Sequence, residues 1–138
     1  MEKKLLIQSD PAQLKSLRDR LSTILQQTGF DAKTREAFLV AVCEGCTNAI
    51  RHSYHGEKGH EIEVTILDEK DKITFKIRDY GEKIDLTKIK PPQIPPQQPG
   101  GLGVYFMKTI MDLVEYNTAH SRGNELTLVK YKGGQKTS

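Results

Sequence analysis

The stretch Glu61-Ile62-Glu63-Val64-Thr65-Ile66-Leu67-Asp68-Glu69-Lys70-Asp71-Lys72-Ile73-Thr74-Phe75-Lys76-Ile77-Arg78-Asp79-Tyr80-Gly81 switches the chain from helical to strand periodicity. Ile62, Val64 and Ile66 alternate with Glu61, Glu63 and Thr65. After the polar turn at Asp68–Asp71, Ile73, Phe75 and Ile77 alternate with Thr74, Lys76 and Arg78. A period of two with one apolar face predicts an antiparallel hairpin, one side buried and the other wet. Asp79 continues the apolar alternation, so it points to the buried face, where a carboxylate is costly unless it has partners.

Upstream, two helices are expected. Ser9-Asp10-Pro11 is a helix start, and Leu14, Leu17, Leu21, Ile24 and Leu25 keep helical spacing until Thr28-Gly29. Asp31 opens a second helix running to about His52 or Tyr54. Lys4–Gln8 suits an edge strand. Downstream, residues 80–99 hold five prolines and three glutamines with almost no periodicity. A segment of that kind within a compact domain is best explained as a functional lid. Helical spacing returns at Val104, Met107, Ile110 and Met111, and two strands follow near Leu113–Ala119 and Glu125–Tyr131. This order predicts an α/β (α+β) two-layer sandwich in a single domain spanning residues 1–138. Three helices cover one face of a mixed, mostly antiparallel sheet.

With 138 residues, 36% hydrophobic and 28% charged, the composition is that of an ordinary globular protein. A net charge of +3 on scattered basic residues indicates neither nucleic acid nor an anionic membrane as partner. No run of about 18 apolar residues and no leader pattern occurs, which makes the cytoplasm the default location. Cys43 and Cys46 have C-x-x-C spacing, but they sit inside a helix with no further ligands nearby, so they are expected to be buried thiols.

Three pieces carry chemistry. On the second helix, Glu44 and Asn48 lie one turn apart outside the apolar arc, with Arg51 beside them. Alone they would be a solvated polar pair. Gly45 and Ala49, however, thin the helix where it approaches something closely. An Asn oxygen is a plausible ligand for Mg²⁺, and a Glu one turn away is placed to polarise a hydroxyl. Asp79 is either a turn-capping residue before Gly81 or an acceptor for the amino group of adenine, with Gly81 leaving room for the ring. Gly100-Gly101-Leu102-Gly103-Val104 is not a P-loop, yet glycines leading into a helix offer backbone N–H groups to phosphates.

In this order the pieces resemble the GHKL ATP-binding superfamily, and within it the small bacterial anti-sigma factor serine/threonine-protein kinases. Glu44-Gly45-Cys46-Thr47-Asn48-Ala49-Ile50-Arg51-His52 resembles the N box, and Ile77-Arg78-Asp79-Tyr80-Gly81 the G1 box. Gly100 to Met107, with Met111 to Tyr116, resembles the G2 box and the helix and strand after it. The resemblance covers Leu5 to Lys132 and implies a Bergerat-type ATP-binding fold. It also implies roles: Glu44 as general base, Asn48 as Mg²⁺ ligand, and Asp79 on the adenine amine. Gly81 would pack near the ring, and Gly100, Gly101, Leu102, Gly103 and Val104 would border the phosphates. Lys83 replaces a glycine of the wider G1 box, and Gly123-Asn124 stands where relatives have Gly-Thr, leaving Asn124 as an adenine-side hydrogen-bonding group. Residues 91–99 contain no Lys or Arg, so Arg51, His52 or a partner would supply charge for phosphoryl transfer. The implied cofactors are ATP and Mg²⁺. The implied partners are an anti-anti-sigma protein of the STAS type and a sigma factor, and a homodimer is compatible. A non-catalytic, nucleotide-gated partner switch and a GHKL serine kinase of another signalling module remain as alternatives.

Overall fold

The computed structural model describes residues 1–88 and 110–133. In chain order these form β1 (Glu2–Gln8), a 3₁₀ turn (Pro11–Gln13), α1 (Leu14–Leu25) and α2 (Ala32–Asn48). A π-helical turn (Ala49–Ser53), β2 (Glu61–Asp68), β3 (Lys72–Asp79) and a 3₁₀ turn (Leu86–Lys88) follow, then β4 (Leu113–Asn117) and β5 (Asn124–Tyr131). The sheet order is β1-β2-β3-β5-β4.

Local chemistry sets the helix starts. The Asp10 carboxylate accepts from the Ala12 N–H at 3.0 Å, with Pro11 in the first turn. The Asp31 carboxylate accepts from the Thr34 N–H at 2.8 Å. The Thr34 side-chain and backbone hydrogen bonds hold the Asp31 carboxyl below its usual range. In α1, Leu17, Leu21 and Leu25 fall on one stripe and are fully buried. In α2, Phe38, Leu39, Val42 and Cys46 enter the same core, and the Phe38 ring lies 5.3 Å from that of Phe75 in β3. Both thiols are free, Cys46 buried and Cys43 half-buried, and burial pushes both pKa values up.

The hairpin register is as the alternation predicts. Val64 faces Ile77 and Ile66 faces Phe75, all on the helix-covered side. The expected mixed pairing is corrected, because all four strand pairings among the described residues are antiparallel. The crossover after β3 does return β4 in the direction of β3, but β5 inserts between the two and pairs antiparallel with each. Two helices lie among the described residues. Val104 and Met107 of the predicted third helix, the glycine run 100–104 and most of the lid fall on residues 89–109, outside the described residues, while Ile110 of that helix is helical and Met111 follows it. The start of the aperiodic stretch is ordered by tertiary contacts: Ile84 is buried, and the Lys83 ammonium donates to the carbonyls of Thr118 and His120.

Two glycines fix how closely the layers meet. A Cβ on Gly45 would lie 2.5 Å from Ile77 Cδ1 and 2.9 Å from Leu126 Cδ2, so the thinned helix surface approaches the sheet itself. Gly123, just before β5, has φ +72°, and a Cβ there would lie 2.0 Å from the Asp79 carbonyl oxygen. Left-handed backbone and a backbone collision together exclude a side chain. Gly123→Ala is expected to lower stability by about 2–4 kcal/mol. Gly29→Ala, whose Cβ would meet nothing within 4 Å, should stay within about 0.5 kcal/mol. Urea unfolding at a shared m-value checks both.

Candidate functional site

The site grows from one register pair. The Asp79↔Asn124 pairing joins the last residue of β3 to the first of β5. Asp79 is 2% exposed and Asn124 1%. Asp79 Oδ1 accepts from the Gly81 N–H (3.1 Å), the Asn124 N–H (3.2 Å) and Asn124 Nδ2 (3.0 Å). Its Oδ2 accepts from the Ser53 hydroxyl at 3.0 Å. Asn124 Nδ2 also reaches Ser53 Oγ (2.9 Å) and the Glu82 carbonyl (3.0 Å), while its Oδ1 accepts from the Ile84 N–H at 2.9 Å. One carboxylate and one amide therefore tie together the π-helical turn, β3, β5 and residues 81–84. Burial pushes the Asp79 pKa up, against the opposing pull of the Asn124, Gly81 and Ser53 hydrogen bonds.

The π-helical turn gives the clamp its second wall. Its wider winding brings the Ser53 carbonyl to the Glu82 N–H at 2.8 Å. A Cβ on Gly81 would lie 2.5 Å from that carbonyl oxygen, so Gly81 is required for this approach independently of any ligand. The Tyr54 hydroxyl donates to the Glu61 carbonyl (2.6 Å) and accepts from the Tyr80 N–H (2.8 Å), pinning the turn to β2 and to the end of β3.

One turn before this wall, Asn48 is 3% exposed. The helical spacing placed it outside the buried arc, but Tyr116 of β4 covers it, and Asn48 Nδ2 donates to the Tyr116 hydroxyl at 3.3 Å. Burial pushes the Tyr116 hydroxyl up to about 12. Asn48 Oδ1 has no donor among the described residues, and a buried amide oxygen left open in this way fits a cation. Among the described residues no cluster of three His, Cys, Asp or Glu side chains could hold a metal. A cation here would rest on the Asn48 oxygen with phosphate and water oxygens completing its shell. Glu44 is half-buried, one turn back on α2, and has no hydrogen-bond or ion-pair partner among the described residues.

The structure thus brings Asp79, Gly81 and Asn124 into one cluster and sets Glu44 and Asn48 on a shared stripe of α2. Arg51 is exposed. Half-buried His52 lines a cavity of about 190 Å³ with His55, Glu82, Lys83 and Asp85 beside the clamp. A larger hollow of about 490 Å³ at β1 contains none of the candidate residues. Gly100, Gly101, Leu102, Gly103 and Val104 lie outside the described residues. Ser53, Tyr54 and Tyr116 were not singled out from the sequence. A serine and a tyrosine just past an apolar helix give no signal of burial until the strands that cover them are placed.

Asp79 also makes a pH prediction. Its folded-state pKa lies above the ordinary value near 3.8, so the folded chain holds this proton more tightly than the unfolded one. The contribution is fully present below that ordinary value and is lost as pH rises through the folded one. Asn at position 79 can keep the three bonds at Oδ1 and reverse the bond to Ser53. The stability of Asp79→Asn relative to wild type should therefore rise across that window, read as the difference between urea midpoints from pH 4 to 7.5. A difference that falls with pH would contradict the burial argument.

The model of the histidine kinase-like ATPase domain matches residues 7–130. Serine-protein kinase RsbW of Bacillus velezensis is 29% identical over 94% of this chain and 85% of its own length. The RsbW protein of Oceanobacillus iheyensis is 34% identical over 80% of this chain and 74% of its own length. That of Listeria monocytogenes (strain EGD-e) is 32% identical over the same shares. In fold, the chain is similar to the RsbU and RsbW domains of Rv1364c from Mycobacterium tuberculosis. The TM-score is 0.64 at 16% identity, over 93% of this chain and 32% of that one. On these likenesses the chain belongs to the histidine kinase-like ATPase domain family, in the branch of the RsbW serine-protein kinases.

Proposed function

We propose that this protein is an ATP-dependent serine kinase that phosphorylates an anti-anti-sigma protein of the STAS type and, when that antagonist is absent, holds a sigma factor. The observation that carries the reading is the open acceptor set on two buried side chains. Asp79 Oδ2 has a single donor, and Asn48 Oδ1 has none among the described residues. An acceptor at the end of β3 suits the amino group of adenine, and an amide oxygen on α2 suits a hard cation. Mg²⁺, when bound, would neutralise phosphate charge.

In this reading Asp79 receives the adenine amine. Gly81 keeps the wall flat beside the ring, and Asn124 acts through Asp79, since its own amide is already engaged by Ser53, Asp79, Glu82 and Ile84. Glu44 takes the proton from the partner serine hydroxyl; without an ion-pair partner among the described residues, its carboxylate is not neutralised in advance. Gly100, Gly101, Leu102, Gly103 and Val104 are assigned to the phosphates, and Arg51 and His52 to added positive charge. Among the described residues no helix is long and apolar enough to cross a membrane, and a cytoplasmic setting belongs to the same proposal. The second reading, a nucleotide-gated switch without turnover, is favoured by one observation: residues 91–99 hold no Lys or Arg where phosphoryl transfer needs positive charge.

Titration calorimetry with ATP and Mg²⁺ on wild type and Asp79→Asn tests the nucleotide site. Wild type should bind, and the variant should lose roughly tenfold or more, the scale of one hydrogen bond to a charged group. Equal affinities, or no binding to either, would sink the adenine assignment.

The catalytic assignment is tested separately. Glu44→Gln should keep nucleotide affinity and lower phosphate transfer to an anti-anti-sigma protein by roughly 10²–10⁴-fold. Asn48→Ala should weaken binding in the presence of Mg²⁺ and leave binding in EDTA nearly unchanged. If wild type binds ATP and partner but transfers no radiolabel, the nucleotide-gated switch replaces the kinase.

A further inference from the structure

The clamp contains one side chain that no role above uses. Ser53 is 2% exposed at the end of the π-helical turn. Its hydroxyl donates to Asp79 Oδ2 at 3.0 Å and accepts from Asn124 Nδ2 at 2.9 Å. Asp79 Oδ1 is saturated by Gly81 N–H, Asn124 N–H and Asn124 Nδ2, so the remaining acceptor capacity of the carboxylate lies on Oδ2. The Ser53 hydroxyl gives its one hydrogen to Oδ2, and the two hydrogens of Asn124 Nδ2 are shared among Ser53 Oγ, Asp79 Oδ1 and the Glu82 carbonyl, so Ser53 is the one protein donor on Oδ2 among the described residues.

We propose that Ser53 is a specificity-determining positioning residue: its hydroxyl holds the Asp79 carboxylate as an acceptor, so the site takes a purine bearing an amino group at position six and rejects one bearing a carbonyl there. The proposal rests on the nucleotide reading given above and adds to it the residue that sets base selectivity. A carboxylate facing a carbonyl leaves two acceptors opposed. A protonated Asp79 could donate to that carbonyl, and selectivity would vanish. Ser53 opposes protonation because its hydrogen bond favours the charged form.

Other groups around Asp79 keep one charge state through the relevant range. Arg78, beside it on β3, donates to the Asp79 carbonyl and is always cationic. Burial raises Tyr54 of the π-helical turn, Tyr116 of β4 and Cys46 of α2, so all three stay neutral. No titratable side chain of β2 faces Asp79 in the register, where its partner is Ile62, and the β5 partner Asn124 does not titrate. His52 is adjacent to Ser53 in the chain, so the measurement is repeated in a His52→Gln background.

The experiment is the ratio of ADP to IDP affinity, with Mg²⁺, followed from pH 5 to 8. Both ligands share their phosphates, whose own titration cancels in the ratio. Wild type should prefer ADP strongly at pH 8 and lose the preference as pH falls. Ser53→Ala should move the midpoint of that loss upward by about one pH unit, the scale of one charge-assisted hydrogen bond. The shift should persist in the His52→Gln background. The alanine variant leaves Asn124 Nδ2 with two acceptors for its two hydrogens, which favours a retained fold. Should it not fold, Ser53→Cys keeps the shape, weakens the donor and reads the same direction. An unmoved midpoint with ADP binding that depends on Asp79 overturns the role of Ser53 alone. Absence of ADP binding to wild type, or a ratio indifferent to Asp79→Asn, overturns the nucleotide reading and this proposal with it.

Discussion

A single buried carboxylate organises this end of the molecule. Asp79 sits at 2% exposure, where an ionised group is costly, and four hydrogen bonds from three chain segments compensate it. Because those donors come from the π-helical turn, β5 and Gly81, satisfying the charge fixes the relative position of all three. Compensation is lighter on Oδ2, which has one donor among the described residues. Burial still raises the carboxyl pKa, so the folded chain holds the Asp79 proton more tightly than the unfolded one.

Backbone proximity makes the clamp possible. Gly123 lets β5 begin directly against the Asp79 carbonyl, and Gly81 lets the chain leave β3 against the Ser53 carbonyl. In both places a methyl group would collide with backbone atoms, which cannot rotate out of the way. At Gly45 the obstructing atoms are ends of the Ile77 and Leu126 side chains, so close packing there depends on rotamers. These glycines serve the contact between layers first, and the chemistry is laid over that contact.

The topology explains why residues so distant in sequence share one site. Inserting β5 between β3 and β4 sets Asn124 opposite Asp79 and carries Tyr116 of β4 to the sheet edge that covers Asn48. The α2 helix, packed across β3 and β5, then presents Asn48 beside Tyr116 with Glu44 one turn away.

Much of this was legible in the residues. Alternation at 61–79 gave the hairpin and its buried face. Asp10 and Asp31 marked the helix starts, and the unusual placement of an aspartate on a buried strand face pointed to Asp79 as a residue needing partners. These features are local, with periods of two or 3.6 residues and caps within three, so the sequence carries them without the rest of the fold. The purely antiparallel sheet, the burial of Asn48, the full engagement of Asn124 and the part taken by Ser53 were decided by tertiary structure. Each depends on contacts across 26 to 71 residues, a separation at which periodicity carries no information and only the insertion of β5 determines which groups meet.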